Sequence, residues 1–321
     1  MKKIPFPGTA KTLSQIVMGT MIIGLKNYEE SKVLLDDALS LGINTIDTAL
    51  VYAGGDSERA IGSWMQERSC REQVYLITKG AHHNKDRQRV TPYDITSDLM
   101  DSLARLKTDY IDLYLLHRDN IAIPAGAIVE ILNEHHKAGR IRAFGGSNWT
   151  HTRIAEANTY AASKNLVPMT ASSPNYGLCE QVNDPWGPGC VTISGPHEAE
   201  ARAFYLKENL PVFAYSSLGR GMLSGRVSRD NYKELLDKAA LTAYAHEVNF
   251  KRLDRAGTLA EQKGVTIPQI AIAYILNQKF KVFPIVGAAS KKELLEAVAA
   301  ADLTLSQKEC DWLDSGVSPI N

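Results

Sequence analysis

The chain has 321 residues, 44% of them hydrophobic, enough for a large core in one α/β barrel or in two smaller domains. Its 36 basic residues balance its 36 acidic ones, so no overall charge draws it to nucleic acid or to a membrane surface. No apolar run approaches the roughly 20 residues of a membrane span, and the start "MKKIPFPGTAK" lacks the apolar stretch of a signal peptide.

The first ten or so residues, with Phe6-Pro7-Gly8, read as a small hairpin closing one end of the fold. Short β-rich runs then alternate with helical patterns: "QIVMG" (15–19), "NTID" (44–47), "VYLITK" (74–79), "IDLYLLH" (111–117), "IRAFGGS" (141–147), "PMTASS" (168–173), "PVFAYS" (211–216) and "KVFPIVG" (281–287). Between the first two, "YEESKVLLDDALSLG" has acids in its first turn and closes on Gly42. "TPYDITSDLMDSLARL" offers a Thr cap followed by Pro at the first helical position, and "PQIAIAYILNQ" is apolar enough to pack on strands. Eight strands, each followed by a helix, give a single (β/α)8 TIM barrel over residues 1–321, with long loops or inserted helices after strands six and seven. The rival, a doubly wound sheet, calls for GxGxxG after its first strand, and "GTMIIG" is not that. Cys70, Cys179, Cys190 and Cys310 show neither CxxC pairing nor zinc spacing, which fits reduced thiols in the cytoplasm.

Barrel enzymes place their chemistry at the C-terminal ends of strands. Those positions here are Asp47 with Tyr52 just beyond, Lys79, His117, Ser147-Asn148 and Tyr215-Ser216. Singly, each has an ordinary reading: a turn cap, a half-buried aromatic, a solvated lysine, a rim histidine. Together, at three neighbouring strand ends, they make chemical sense. A phenol with a pKa near 10 is a poor acid at neutral pH, and an adjacent ammonium favours its ionised form. Lys79 supplies that ammonium, Asp47 holds it, and His117 donates to the same substrate oxygen while Tyr52 gives up its proton. No side chain supplies hydride, so a cofactor must.

The ordered set "GINTIDTALVYAGGDSERAIG", "LITKG", "DYIDLYLLHRD", "GRIRAFGGSNW", "VFAYSSLGRGMLSG" and "FPIVGAASKKELLEA" resembles the aldo-keto reductases over almost the whole chain. The resemblance implies an NAD(P)H-dependent (β/α)8 barrel that interconverts carbonyl and alcohol, with Asp47, Tyr52, Lys79 and His117 as its tetrad. It further implies that Ser147 and Asn148 bind the nicotinamide carboxamide and that Tyr215 stacks on the ring. Ser216, Leu218, Gly219 and Gly221 would follow the pyrophosphate, and the segment from Gly287 to Glu296 the adenosine ribose. Three positions depart from the family pattern. Ser173 replaces a glutamine that contacts the carboxamide, and Ala297 an asparagine that contacts adenine, while Glu296 is kept. Glu293 stands where Arg or Gln often meets the 2′-phosphate. The family norm is NADP(H). Glu293 pulls toward NAD(H) or dual use, with Lys291 and Lys292 close enough to offset it.

The long segment "NYGLCEQVNDPWGPGCVTISGPHE" (175–198) displays Trp186, and Trp149 follows the Ser-Asn pair. With Tyr52 and His117 they suggest a pocket for a sugar or another small polar carbonyl compound. His82 and His83, after strand three, are adjacent in an extended segment, so at most one faces the mouth. They offer no third ligand for a metal at sensible spacing. Two other classes compete: a binding or regulatory member of the same fold, and a metal-dependent barrel hydrolase built on His82, His83, His117 and Asp47. Nothing in the sequence sets an oligomeric state.

Overall fold

A computed structural model describes residues 1–6 and 8–317; Pro7, within the expected hairpin, lies outside the described residues. The described residues form two compact units, residues 1–173 with 287–291, and residues 174–286 with 292–317.

The first unit opens with an antiparallel hairpin, β1 (Lys3–Pro5) and β2 (Thr12–Ser14). It continues with β3 (Val17–Gly19), α1 (Tyr28–Ser40), β4 (Thr45–Asp47), α2 (Asp56–Arg68), β5 (Tyr75–Gly80) and α3 (Pro92–Leu106). Then come β6 (Ile111–Leu116), α4 (Ala125–Lys137), β7 (Ile141–Ser147), α5 (His151–Ser163) and β8 (Ala171–Ser173). The second unit carries α6 (Ala199–Lys207), β9 (Val212–Ala214), α7 (Tyr232–Leu235), α8 (Lys238–Tyr244), α9 (Glu247–Lys263), α10 (Ile267–Leu276) and β10 (Val282–Gly287). It ends with α11 (Lys291–Ala300) and α12 (Gln307–Ser315); Gly287 at the end of β10 and Lys291 at the start of α11 belong to the first unit. Strands β3 to β10 form a closed eight-stranded barrel, and every pairing observed within it is parallel. The expected (β/α)8 TIM barrel with its N-terminal hairpin is therefore what the chain adopts. The long connections also fall where expected, after β8 and β9, the latter holding α7, α8, α9 and α10.

Strands β5 and β6 are buried along their whole length, as parallel strands covered by helices must be. The register sets the site. Asp47 on β4 is level with Ile77 on β5, so Lys79 lies two residues further along on the same face. Helix α3 starts as its sequence dictates: Thr91 and Asp94 form a reciprocal capping box with Pro92 at the first helical position. At its other end α3 lies against α2, because Gly62 has no side chain: a Cβ there would sit 2.4 Å from the Arg105 carbonyl oxygen. Among the described residues, no helix is long and apolar enough to cross a membrane.

Candidate active site

Lys79 is the centre of the site in the first unit. Its ammonium donates to Asp47 Oδ1 at 2.6 Å, to the Thr48 carbonyl at 3.0 Å and to the Tyr52 hydroxyl at 3.3 Å. An ammonium has three N–H bonds, so this set uses all of them. Asp47 and Lys79 are both buried. Burial works against the Lys79 charge, but Asp47 and Tyr52 outweigh it and raise the lysine above its ordinary value. Burial likewise pulls the Asp47 carboxyl upward while Lys79 pulls it back.

Tyr52 stands in a short 3-10 turn directly before α2 and is half-buried. The three residues after it, Ala53, Gly54 and Gly55, all have positive φ, at 50°, 67° and 94°. This is the structural use of the "YAGG" run: the chain reverses tightly enough to start α2 while the phenol stays over Lys79. The sequence led us to expect a lowered phenol pKa. Lys79 does act in that direction, but burial is the larger effect and Tyr52 lies above its usual value. The phenol is consequently kept protonated at neutral pH.

His117, just past β6, is anchored through its backbone: its N–H donates to the Gly80 carbonyl at 2.7 Å, and its carbonyl accepts from Asn148 Nδ2 at 3.1 Å. Its ring meets the Tyr52 ring edge-on, centroids 5.8 Å apart. Burial, reinforced by Lys79, holds its pKa well below the ordinary histidine value. A neutral imidazole at this place has one N–H to offer a substrate oxygen and no proton charge to lose.

The remaining expected residues divide by unit. In the first, Ser147 donates to the Ser173 carbonyl at 2.8 Å, and both side chains are buried at level positions on β7 and β8. Asn148 follows with φ 57°, a backbone turn that aims its amide back at the His117 carbonyl. Gly287 closes β10, and Lys291 is exposed and paired with Asp37 of α1 at 2.7 Å. In the second unit, half-buried Tyr215 donates through its hydroxyl to the Val191 carbonyl at 3.4 Å. The turn after it carries Ser216, Leu218, Gly219 and Gly221, with positive φ at Ser216, Gly219, Arg220 and Gly221. Glu293 and Glu296 sit half-buried on α11.

The two tryptophans differ. Trp186 is 41% exposed, its ring 6.1 Å from that of Tyr215 and 5.0 Å from the Arg220 guanidinium. Trp149 is 0% exposed and donates its indole N–H to the Arg118 carbonyl at 3.2 Å. The structure thus gives Trp149 a place inside the barrel wall, fixing the chain beside His117. Of the adjacent histidines, His82 packs edge-on against His117 at 4.8 Å, while His83 is exposed. Asp47, which a hydrolase would need as a metal ligand, holds Lys79 instead.

Sequence reading missed a set of buried polar residues behind Tyr52: Thr20, Thr48, Ser57, Glu58 and Thr78, with Arg105 reaching in from α3. A signal was present. Ser57 and Glu58 fall at helical spacing with Ile61, Trp64 and Met65, all buried, so they share the inward face of α2.

The profile described as "Aldo/keto reductase family" matches residues 15–317. The chain is 29% identical to "Aldo-keto reductase YhdN" of Bacillus subtilis (strain 168), covering 92% of this chain and 87% of that protein. It is also 29% identical to the "NADH-specific methylglyoxal reductase" of Escherichia coli (strain K12), covering 96% of each. A solved aldo-keto reductase from Klebsiella pneumoniae in complex with NADPH superposes with a TM-score of 0.72 at 25% identity, covering 98% of this chain and 95% of that one. With a closed parallel barrel and a family match from residue 15 to 317, this chain belongs to the aldo/keto reductase family.

Proposed function

We propose that this NAD(P)-dependent oxidoreductase, which interconverts a carbonyl and an alcohol, uses Tyr52 as its general acid in reduction and its general base in oxidation. The observation that carries this reading is the Lys79 ammonium, fully occupied by Asp47, the Thr48 carbonyl and the Tyr52 hydroxyl. A nicotinamide cofactor, when bound, would supply or accept the hydride. As negative charge gathers on the substrate oxygen, Tyr52 delivers its proton, and Lys79 stabilises the phenolate left behind. Neutral His117 donates to the same oxygen and orients it. In oxidation the phenolate takes the alcohol proton back.

The residues present fit a nicotinamide cofactor. Ser173 Oγ is buried and makes no hydrogen bond among the described residues; a hydroxyl in that state suits a carboxamide. Ser147 and Asn148 stand beside it as further carboxamide partners. In the second unit, Tyr215 offers a half-buried ring face, and the 216–221 turn gives close backbone approach for phosphate. Gly287, Lys291, Glu293 and Glu296 belong to the adenosine end. The Klebsiella pneumoniae neighbour holds NADPH. NADH is the second reading, favoured by Glu293 and by the E. coli relative named as NADH-specific.

We take the substrate to be a sugar or another small polar carbonyl compound. Exposed Trp186 and the imidazoles of the loop after β5 support this. Cys70, Cys179 and Cys310 are buried free thiols, in keeping with a reducing cytoplasm. The test joins one variant to one panel. Tyr52→Phe should lose about 10²–10⁴-fold in kcat and bind cofactor as tightly as wild type by fluorescence quenching. Wild type should turn over short aldoses and small polar aldehydes. A Tyr52→Phe enzyme at wild-type rate would falsify the acid assignment, and activity confined to bulky apolar ketones would remove the substrate class.

A further inference from the structure

Two adjacent polar side chains at the start of α2, Ser57 and Glu58, are completely buried and have no part in the chemistry described above. Each ties the Tyr52 segment to a different wall of the barrel. Ser57 Oγ lies 3.1 Å from Thr20 Oγ1 and 3.0 Å from Thr48 Oγ1. Thr20 in turn donates its hydroxyl and its N–H to the Asp47 carbonyl, at 2.9 and 3.1 Å. Glu58 Oε1 accepts from the Thr78 hydroxyl at 2.6 Å, one residue before Lys79. Its other oxygen faces Arg105 Nη1 at 3.6 Å, and that guanidinium donates to the Leu50 carbonyl at 3.0 Å. The Leu50 N–H closes the loop by donating to the Lys79 carbonyl at 2.9 Å.

A buried carboxylate is costly, and an apolar side chain could fill the same volume at less expense. What an apolar residue could not do is orient the Arg105 guanidinium toward Leu50. Tyr52 is followed by three residues of positive φ, and the backbone bonds of this turn, Tyr52 N–H to the Ala49 carbonyl at 3.0 Å and Gly54 N–H to the Val51 carbonyl at 3.2 Å, are local and do not fix its distance from Lys79. The contact it must keep, Lys79 to Tyr52 at 3.3 Å, is the longest of the three made by the ammonium. We propose that Glu58 and Arg105 are positioning residues for the reaction: through Leu50 on one side and Thr78 on the other, they set the distance between the Tyr52 phenol and the Lys79 ammonium. This rests on the reading of Tyr52 as the proton donor.

The direction of the effect follows from the groups around the phenol. Tyr52 is faced by Asp47 on β4, Lys79 on β5, and His117 and Arg118 after β6; none of these changes when Arg105 does. Lys79 favours phenolate, so a longer Lys79–Tyr52 distance raises the phenol pKa. Reduction needs the protonated phenol, and its rate falls as pH rises through that pKa. Loosening the clamp should therefore lower kcat and move the alkaline limb of its pH profile upward.

The experiment is the pH dependence of kcat for Arg105→Ala, Arg105→Lys and Glu58→Gln. It uses NADPH with the best aldehyde of the panel, and Tyr52→Phe is run alongside. Arg105→Ala should lose about tenfold in kcat, the scale of a small misplacement of a reacting group. Its alkaline limb should shift up, its cofactor affinity should stay within about twofold of wild type, and Arg105→Lys should recover part of the rate. If Arg105→Ala does not fold, its combination with Glu58→Gln removes the stranded charge and carries the same expectation. A folded variant with lower Tm but unchanged kcat and unchanged alkaline limb would overturn the proposal and leave a structural tie only. Loss of rate in Tyr52→Phe with none in Arg105→Ala would sink the positioning role alone, whereas an active Tyr52→Phe would sink the acid assignment beneath it.

Discussion

Lys79 and Asp47 form a buried ion pair whose two partners cannot be removed one at a time without consequence. Lys79→Met keeps the length of the side chain and deletes the ammonium. It strands Asp47, whose second oxygen already makes no hydrogen bond among the described residues. Removing one partner of such a pair costs about 3–5 kcal/mol, so the variant should melt well below wild type. It should also lose most of its turnover, because the phenolate has lost its counter-ion. The sign of the pH effect is fixed. Burial already raises the phenol and Lys79 is the main influence opposing it, so deleting Lys79 strengthens the net upward influence and the alkaline limb of kcat should move to higher pH. A limb that stayed in place, or moved down, would show that the titrating group is not Tyr52.

At the scale of elements, the turn between β4 and α2 does more than connect. Gly54 and Gly55 both have positive φ, yet they differ in surroundings. A Cβ on Gly54 would meet nothing within 4 Å, whereas one on Gly55 would lie 2.6 Å from Arg105 Nη1. Gly54→Ala should therefore cost only the left-handed backbone penalty of about 1–2 kcal/mol. Gly55→Ala should cost that and also push Arg105 from Leu50. Expected is a modest fall in Tm for the first, and for the second a larger fall accompanied by a loss of kcat. Equal losses from the two variants would mean that Arg105 does not constrain the turn. Elements of this fold were legible because apolar runs and caps are local: all eight barrel strands lie within or beside their predicted spans, and Thr91-Pro92 starts α3 where the sequence puts it. The meeting of Asp47, Tyr52, Lys79 and His117 was legible because strand ends converge in a barrel. The clamp was not read, because it joins Glu58, Thr78 and Arg105 from three elements. Its members look, one by one, like an ordinary first-turn acid, a strand threonine and a surface arginine. Trp149 shows the same limit: its place after Asn148 in sequence did not reveal that its indole is buried and donates to the Arg118 carbonyl.

Closure of the barrel brings together residues that lie at opposite ends of the chain, and one such meeting bears on cofactor choice. Lys291 follows β10, Asp37 lies on α1, and they pair at 2.7 Å across 254 positions of sequence. From sequence alone Lys291 and Lys292 were both available to offset Glu293 near a 2′-phosphate. In the folded chain Lys291 pairs with Asp37 of α1, and on the proposed placement of Glu293 beside the adenosine ribose this weakens the offset that Lys291 could give it. On the NADH or dual-use reading, the expected outcome is a kcat/KM for NADH comparable with that for NADPH. Glu293→Arg should move the ratio toward NADPH by roughly tenfold, the worth of one charge-assisted contact at about 1.5 kcal/mol. Asp37→Ala, which releases Lys291 without touching Glu293, should move it in the same direction by less, because the freed lysine is exposed and screened by salt. Measuring both ratios at two salt concentrations separates the cases: the Asp37→Ala shift should shrink at high salt. A strong wild-type preference for NADPH, unaltered by either substitution, would show that neither charge meets the cofactor.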